Sequence, residues 1–238
     1  MRLSFKRYVT HGSGENPLML ISPEHYYEEN LKGKTVQEIR SRIRVLKARI
    51  TRLKRKIENA DDITQIVMNP SQETQIAYTR LYLERAKQAL VEAGETYKPS
   101  KMEQKADAFN ANLFFIDEIR FSIGGYFGGY EKKTVTFDEK HLYMESSFST
   151  HPYAMDNVEK TIDLPFNKDE FLSQLKALYI GEWDLRYDRL ALDGTQWHLG
   201  IYFSNLHEDI EIYGSNAYPY NFNKLCELMG ISKFFLPR

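Results

Sequence analysis

The chain has a single cysteine, Cys226, in 238 residues, which excludes an internal disulfide and any zinc site built on several thiolates. It has no run of about 18 apolar residues, so no segment reads as a membrane-spanning helix. Its opening, MRLSFKRYVTHGSGENP, lacks the apolar stretch and small-residue cleavage site of a secretory signal, and a cytoplasmic protein is expected. The other absences are chemical. His11, His25, His141, His151 and His207 are scattered without ligand spacing, the glycines of 124–129 lack the GxxxxGK[ST] form of a phosphate loop, and no GxSxG nucleophile elbow occurs. No internal repeat is evident. What remains is ordinary globular material, 42% hydrophobic and 27% charged, which excludes disorder as the main state.

The net charge of −1 hides an asymmetry. Residues 1–100 hold 18 Lys+Arg against 12 Asp+Glu, and residues 101–238 hold 14 against 21. Leu31–Glu58 alone has 11 basic and 2 acidic residues. The halves are therefore electrostatically different, which points to separate modules with separate partners: 1–100, a segment with a basic helical hairpin, and 112–238, an acidic α+β domain.

The basic stretch is the clearest element. Val36, Ile39, Ile43, Leu46, Ile50, Leu53 and Ile57 repeat at alternating spacings of three and four, the seam of a coiled-coil-like helix. Thr35-Val36-Gln37-Glu38 is a capping box that starts it, and it is expected to span about 35–59. Asn69-Pro70-Ser71-Gln72 opens a second helix over about 70–93, ended by Gly94. Equal lengths and a short connector (60–68) predict an antiparallel pair, with Ile76, Leu83, Ala86, Leu90 and Ala93 as the facing seam and Tyr82 nearby. Before them, Leu3, Phe5 and Tyr8 alternate as in a strand, and His11–Gly14 reads as a turn.

Pro99 and the polar stretch 94–112 mark a module boundary, after which the apolar period changes to two. Ile116–Ile123, Thr134–Phe137 and Leu142–Met144 are predicted antiparallel strands, the first turn being Gly124–Gly129. Asn167-Lys168-Asp169-Glu170 opens a helix with Phe166 and Phe171 at staple positions and Phe171, Leu172, Leu175, Leu178 and Tyr179 on its buried face. Trp197–Phe203 and Ile210–Ile212 alternate as strands. A last helix, Asn221–Met229, buries Phe222, Leu225, Cys226 and Met229 and ends at Gly230. The order βββ-α-ββ-α describes an α+β domain with helices on one face of an antiparallel sheet.

Within this half, Trp183…Asp193-Gly194-Thr195-Gln196-Trp197-His198-Leu199-Gly200-Ile201 followed by Gly214-Ser215-Asn216-Ala217-Tyr218-Pro219-Tyr220-Asn221-Phe222 resembles a small domain recurrent in uncharacterised proteins of Gram-positive bacteria. Its pattern is W…DGxxWxLxI, then GSNAYPxNF and a short helix. The resemblance covers roughly residues 116–231 and leaves the helical half outside. It implies a compact α+β fold and a bacterial or phage origin, and it carries no activity.

Several residue sets are candidates for chemistry. Arg40, Lys47 and Lys54 flank the apolar seam on one side and Arg42, Arg49 and Lys56 on the other; with Arg52 and Arg55 they form a positive surface suited to phosphate contacts. The same charges also fit an acidic protein surface, including this chain's own second half, or a solvated face. Like charges beside the seam oppose a parallel homodimer through it, and a homodimer through another surface is left open. Asp184, Asp188, Asp193 and His198, beside Glu182, are a candidate metal-dependent hydrolase or nuclease site, although alternation with Trp183, Leu185 and Tyr187 explains Asp184 and Asp188 as a polar strand face. His198, Asp193 and Ser215 form a triad only if folding assembles them. Gly214–Pro219, ahead of a helix, reads either as an anion loop or as a strand-to-helix turn. The many tyrosines of the acidic half suit a protein-docking face as well as half-buried strand positions.

These readings converge on a non-enzymatic bacterial or phage interaction protein that binds nucleic acid or a nucleoprotein through its basic helices, with no cofactor and no membrane contact. One specific form is an inhibitor, carried by a mobile element, of a defence complex such as a CRISPR effector. The alternatives are the metal-dependent enzyme above and an immunity-type or structural protein that binds one protein partner.

Overall fold

The computed structural model describes residues 20–59, 70–125, 127–138, 141–150, 161–190 and 194–231, without the side chains of 161–166. The strand and turn expected before residue 15, the connector 60–68, the Phe166 side chain of the staple and Asp193 lie outside these. Among the described residues the chain is α+β, with six α-helices and one mostly antiparallel sheet.

The helices come first: α1 (Pro23–Asn30), α2 (Val36–Glu58), α3 (Gln72–Glu92) and α4 (Lys101–Ala111). In α2 the Thr35 side chain accepts from the Glu38 amide while the Glu38 carboxylate accepts from the Thr35 amide, so two otherwise unpaired helix-end donors are satisfied. Twenty-three residues make α2 roughly 35 Å long. Its Ile39, Ile43, Leu46, Ile50 and Leu53 are buried against Ile76, Leu83, Ala86, Ala89 and Leu90 of α3 in one apolar cluster. The two helices run in opposite directions, because Arg40 meets Glu95 beyond the end of α3 whereas Arg49 meets Gln75 near its start.

Two short helices stand where none was predicted. α1 begins at Ser22, whose side chain caps it, and has no buried residue of its own, so it carries no periodic signal. Its Tyr26 lies flat on Tyr82 of α3 with ring centroids 4.4 Å apart. α4 occupies the stretch read as a polar boundary. A second capping box, Ser100 with Glu103, starts it, and only Ala106 and Phe109 are buried, too few to show a period.

The sheet has the order β4-β3-β2-β1-β6-β7-β5, from β1 (Ile116–Gly125), β2 (Gly129–Phe137), β3 (His141–Ser149), β4 (Thr161–Asn167), β5 (Arg186–Asp188), β6 (Gln196–Phe203) and β7 (Ile210–Ser215). The order of five strands leaves out β4 and the three-residue edge strand β5, although the alternation around Asp184 and Asp188 marks a strand face where β5 lies. β5 pairs with β7 in parallel and is the exception to an otherwise antiparallel sheet. One face carries Ile119, Phe121, Ile123, Val135, Leu199, Ile201 and Ile212 into the larger core, where α5 (Lys168–Ala177), α6 (Phe222–Leu228) and Phe109 of α4 cover them. The Asn167 side chain caps α5.

The motif that carried the family resemblance is a packing device. Trp197 on β6 lies against Gly214 on β7, where any Cβ would run into the indole ring, and its Nε1–H donates to the Ala217 carbonyl at 2.9 Å. Asn216 adopts a left-handed φ of 56° beneath Gly194. Gly214–Pro219 is thus a strand-to-helix turn shaped around a tryptophan.

Candidate nucleic-acid interface

The flank of α2 that carries Arg40, Lys47 and Lys54 is matched one-to-one by carboxylates of this same chain. Arg40 donates to Glu95 at 2.6 Å, Lys47 to Glu103 at 2.6 Å and Lys54 to Glu182 at 2.6 Å. Every acceptor lies outside α2, so this flank is a seam between the helix and the rest of the molecule.

The Glu182 end is the most enclosed. Arg80 of α3 also reaches it, with both terminal nitrogens 2.7 Å from the carboxylate oxygens, and its guanidinium stacks 3.6 Å over the Tyr179 ring. Tyr179 itself has a φ of 54°, a conformation non-glycine residues seldom adopt. Burial alone would raise the Glu182 carboxyl; hydrogen bonds from Arg80 and the charges of Lys54 and Arg80 outweigh it and hold the pKa at about 2. Burial lowers the Lys54 ammonium against the pull of Glu182. Tyr220 closes the cluster, its ring 5.0 Å from the Lys54 nitrogen and its amide donating to Glu58 at 3.2 Å. Lys54 is therefore a structural cation, unavailable to a ligand.

Glu103 is similarly saturated. It accepts from Lys47, from the Tyr97 hydroxyl at 2.6 Å and from the Ser100 amide at 2.8 Å. Burial pushes its pKa up, but these donors prevail and bring it to about 2.

The remaining predicted residues divide by exposure. Arg49 is half-buried, with a terminal nitrogen 3.4 Å from Gln75 Oε1. Arg42, Arg52, Arg55 and Lys56 are exposed. Arg44 belongs with them and was missed: it sits on the side of α2 opposite the apolar seam, and attention to the seam's immediate flanks passed over it. Arg44, Ala48, Arg52 and Arg55 form one outward stripe, and small side chains at Ala48 and Thr51 keep the surface between the guanidiniums low. A concavity beside this stripe is lined by Arg52, Arg55, Lys56 and Asn59. From Arg44 to Arg55 the stripe is about 16 Å long, and no acidic residue occurs between Glu38 and Glu58.

Asp193 of the rival acidic site lies outside the described residues, and the described members do not converge on one point. Asp188 pairs with Arg186, Glu182 is consumed by Arg80 and Lys54, and Asp184 is exposed. Among the described residues no group of three or more His, Cys, Asp or Glu is placed to hold a metal ion. Ser215 stands opposite Gln196, and His198 stands opposite Tyr213. His198 instead hydrogen-bonds the Glu211 carboxylate and stacks on Tyr213 with centroids 4.6 Å apart, while Tyr202 donates to the same carboxylate at 2.7 Å. Glu211 lies thirteen residues away on the neighbouring strand, so only the strand register brings it to His198.

Comparison of the chain with protein-family models, with curated proteins and with solved structures finds no match in any of the three.

Proposed function

We propose that the protein is a non-enzymatic binder of nucleic acid or of a nucleoprotein, acting through α2 and α3 as a basic helical hairpin. The supporting observation is the division of charge on α2. The flank that faces the molecule is neutralised by Glu95, Glu103 and Glu182, whereas Arg44, Arg52, Arg55 and Lys56 are exposed on the outward side of α2. Such a ridge is suited to phosphate contacts, which supply an electrostatic, sequence-independent affinity. A bacterial or phage origin agrees with the resemblance of residues 116–231.

The test is anisotropy of labelled oligonucleotides at two salt concentrations. The wild type binds at about 50 mM salt and loses at least tenfold in affinity by about 200 mM. R52E/R55E/K56E abolishes binding without changing the circular dichroism spectrum. Absence of binding at low salt removes the nucleic-acid reading.

A further inference from the structure

A second gathering of cations lies beside the first half of α2, and unlike the outward ridge it has two walls. Arg40, Arg44 and Lys47 stand on the helix wall, and the strap that follows α3 supplies Tyr97 and Lys98. Ile43 and Leu90 form an apolar floor, and the open groove has a volume of about 710 Å³. Two carboxylates reach this groove, Glu95 on Arg40 and Glu103 on Lys47, and Lys87 approaches Glu103 to 3.5 Å. The four lining cations, Arg40, Arg44, Lys47 and Lys98, against these two carboxylates leave a surplus of two positive charges, Lys87 being held by Glu84 at 2.8 Å. Among the described residues Arg44 and Lys98 have no ion-pair partner. Arg40 and Lys47, by contrast, are held in place by their carboxylates, so one wall of the groove is preorganised.

We propose that this groove holds the backbone of a single-stranded polynucleotide, which continues onto the Arg52–Lys56 ridge. The inference rests on the nucleic-acid reading above and specifies its ligand. Cations on opposite walls grip one backbone from both sides, which is how single-strand channels track their ligand. A duplex holds its two backbones apart across grooves about 6 and 12 Å wide; it meets a convex ridge better than a walled groove. The Tyr97 hydroxyl is engaged by Glu103 and its ring by Lys87, 4.9 Å from the centroid. Tyr97 thus builds the wall rather than reading a base, and the groove takes any sequence.

The experiment compares a labelled oligo-dT of about 20 nucleotides with a duplex of the same length, using the full chain, R44Q/K98Q and R52Q/R55Q/K56Q. Both sets of changes are at exposed positions, and melting curves check that the fold is kept. The single strand binds wild type at least about fivefold tighter than the duplex. R44Q/K98Q weakens single-strand binding about tenfold and reduces the slope of log affinity against log salt by about 1.4, two contacts at roughly 0.7 each. The ridge variant weakens both ligands. Equal or tighter duplex binding, or unchanged single-strand affinity in R44Q/K98Q, overturns the groove assignment and leaves the nucleic-acid reading standing. If wild type binds neither ligand at low salt, both are overturned.

Discussion

Glu182 shows how much a single side chain holds together here. Its carboxylate takes three short contacts from Arg80 and Lys54, at 2.7, 2.7 and 2.6 Å, in a largely enclosed site. Its folded pKa, about 2, lies below the unfolded value near 4.3. The stabilisation is therefore complete above about pH 4.5 and is lost as pH falls towards 2, on the order of 3 kcal/mol in all. Melting temperature recorded from pH 7 to pH 2 is expected to fall steeply over that window in wild type. Glu182→Gln, which leaves two cations short of a counter-charge, starts about 3–5 kcal/mol lower at pH 7 and shows a shallower fall. Parallel curves for the two proteins would show that the cluster contributes nothing to acid sensitivity. Gly214 is the other decisive residue. A methyl group there meets the Trp197 indole, so Gly214→Ala is expected to cost about 1–3 kcal/mol and to shift tryptophan emission. Unaltered emission and stability would remove the packing explanation of the glycine.

At the scale of elements, local signals were legible and distant ones were not. The α2 seam, its capping box and the start of α3 depend on residues within a turn or two of each other, and each can be read directly from the chain. α4 escaped because its two buried residues do not make a period, whereas β5 left a trace in the alternation around Asp184 and Asp188 but is only three residues long. The positive ridge was legible only as composition. Which of the α2 cations are held by the chain's own carboxylates depends on Glu95, Glu103 and Glu182, at separations of 55, 56 and 128 residues, which no pattern along α2 reveals. The α3 face poses a local test. Ala86 and Ala89 are buried at the α2 contact with 0% and 4% exposure, and small side chains there let the helices approach closely. Ala86→Leu is expected to destabilise by about 1–3 kcal/mol through overpacking, read from the urea midpoint at unchanged m. A stabilised variant would mean that the interface has a cavity that the alanine leaves unfilled.

For the whole molecule, the question is whether the helices and the sheet unfold as one. They have separate apolar clusters, yet they are joined by polar and aromatic links: Lys54 and Arg80 to Glu182, the Tyr220 amide to Glu58, and Lys47 to Glu103. Tyr220 itself belongs to the helical cluster although it lies in the sequence of the sheet half. α4 serves both, with Phe109 in the sheet core and Glu103 bound to α2. These ties convert two modest cores into one cooperative unit. The chain supplies its own probes for this, because both tryptophans, Trp183 and Trp197, lie in the sheet core and report on it alone, while ellipticity at 222 nm is dominated by the long helices. In wild type the fluorescence and ellipticity transitions are expected to coincide on heating. Replacing Arg80 and Glu182 together by alanine removes the central tie and leaves Lys54 of α2 without its carboxylate; the two transitions should then separate, with ellipticity lost first, because the helical cluster carries that uncompensated cation and has the smaller apolar core. Coincident transitions in the double variant would show that the remaining ties, Lys47 to Glu103, the Tyr220 amide to Glu58 and the apolar contacts of Tyr220 and Phe109, suffice to couple the halves.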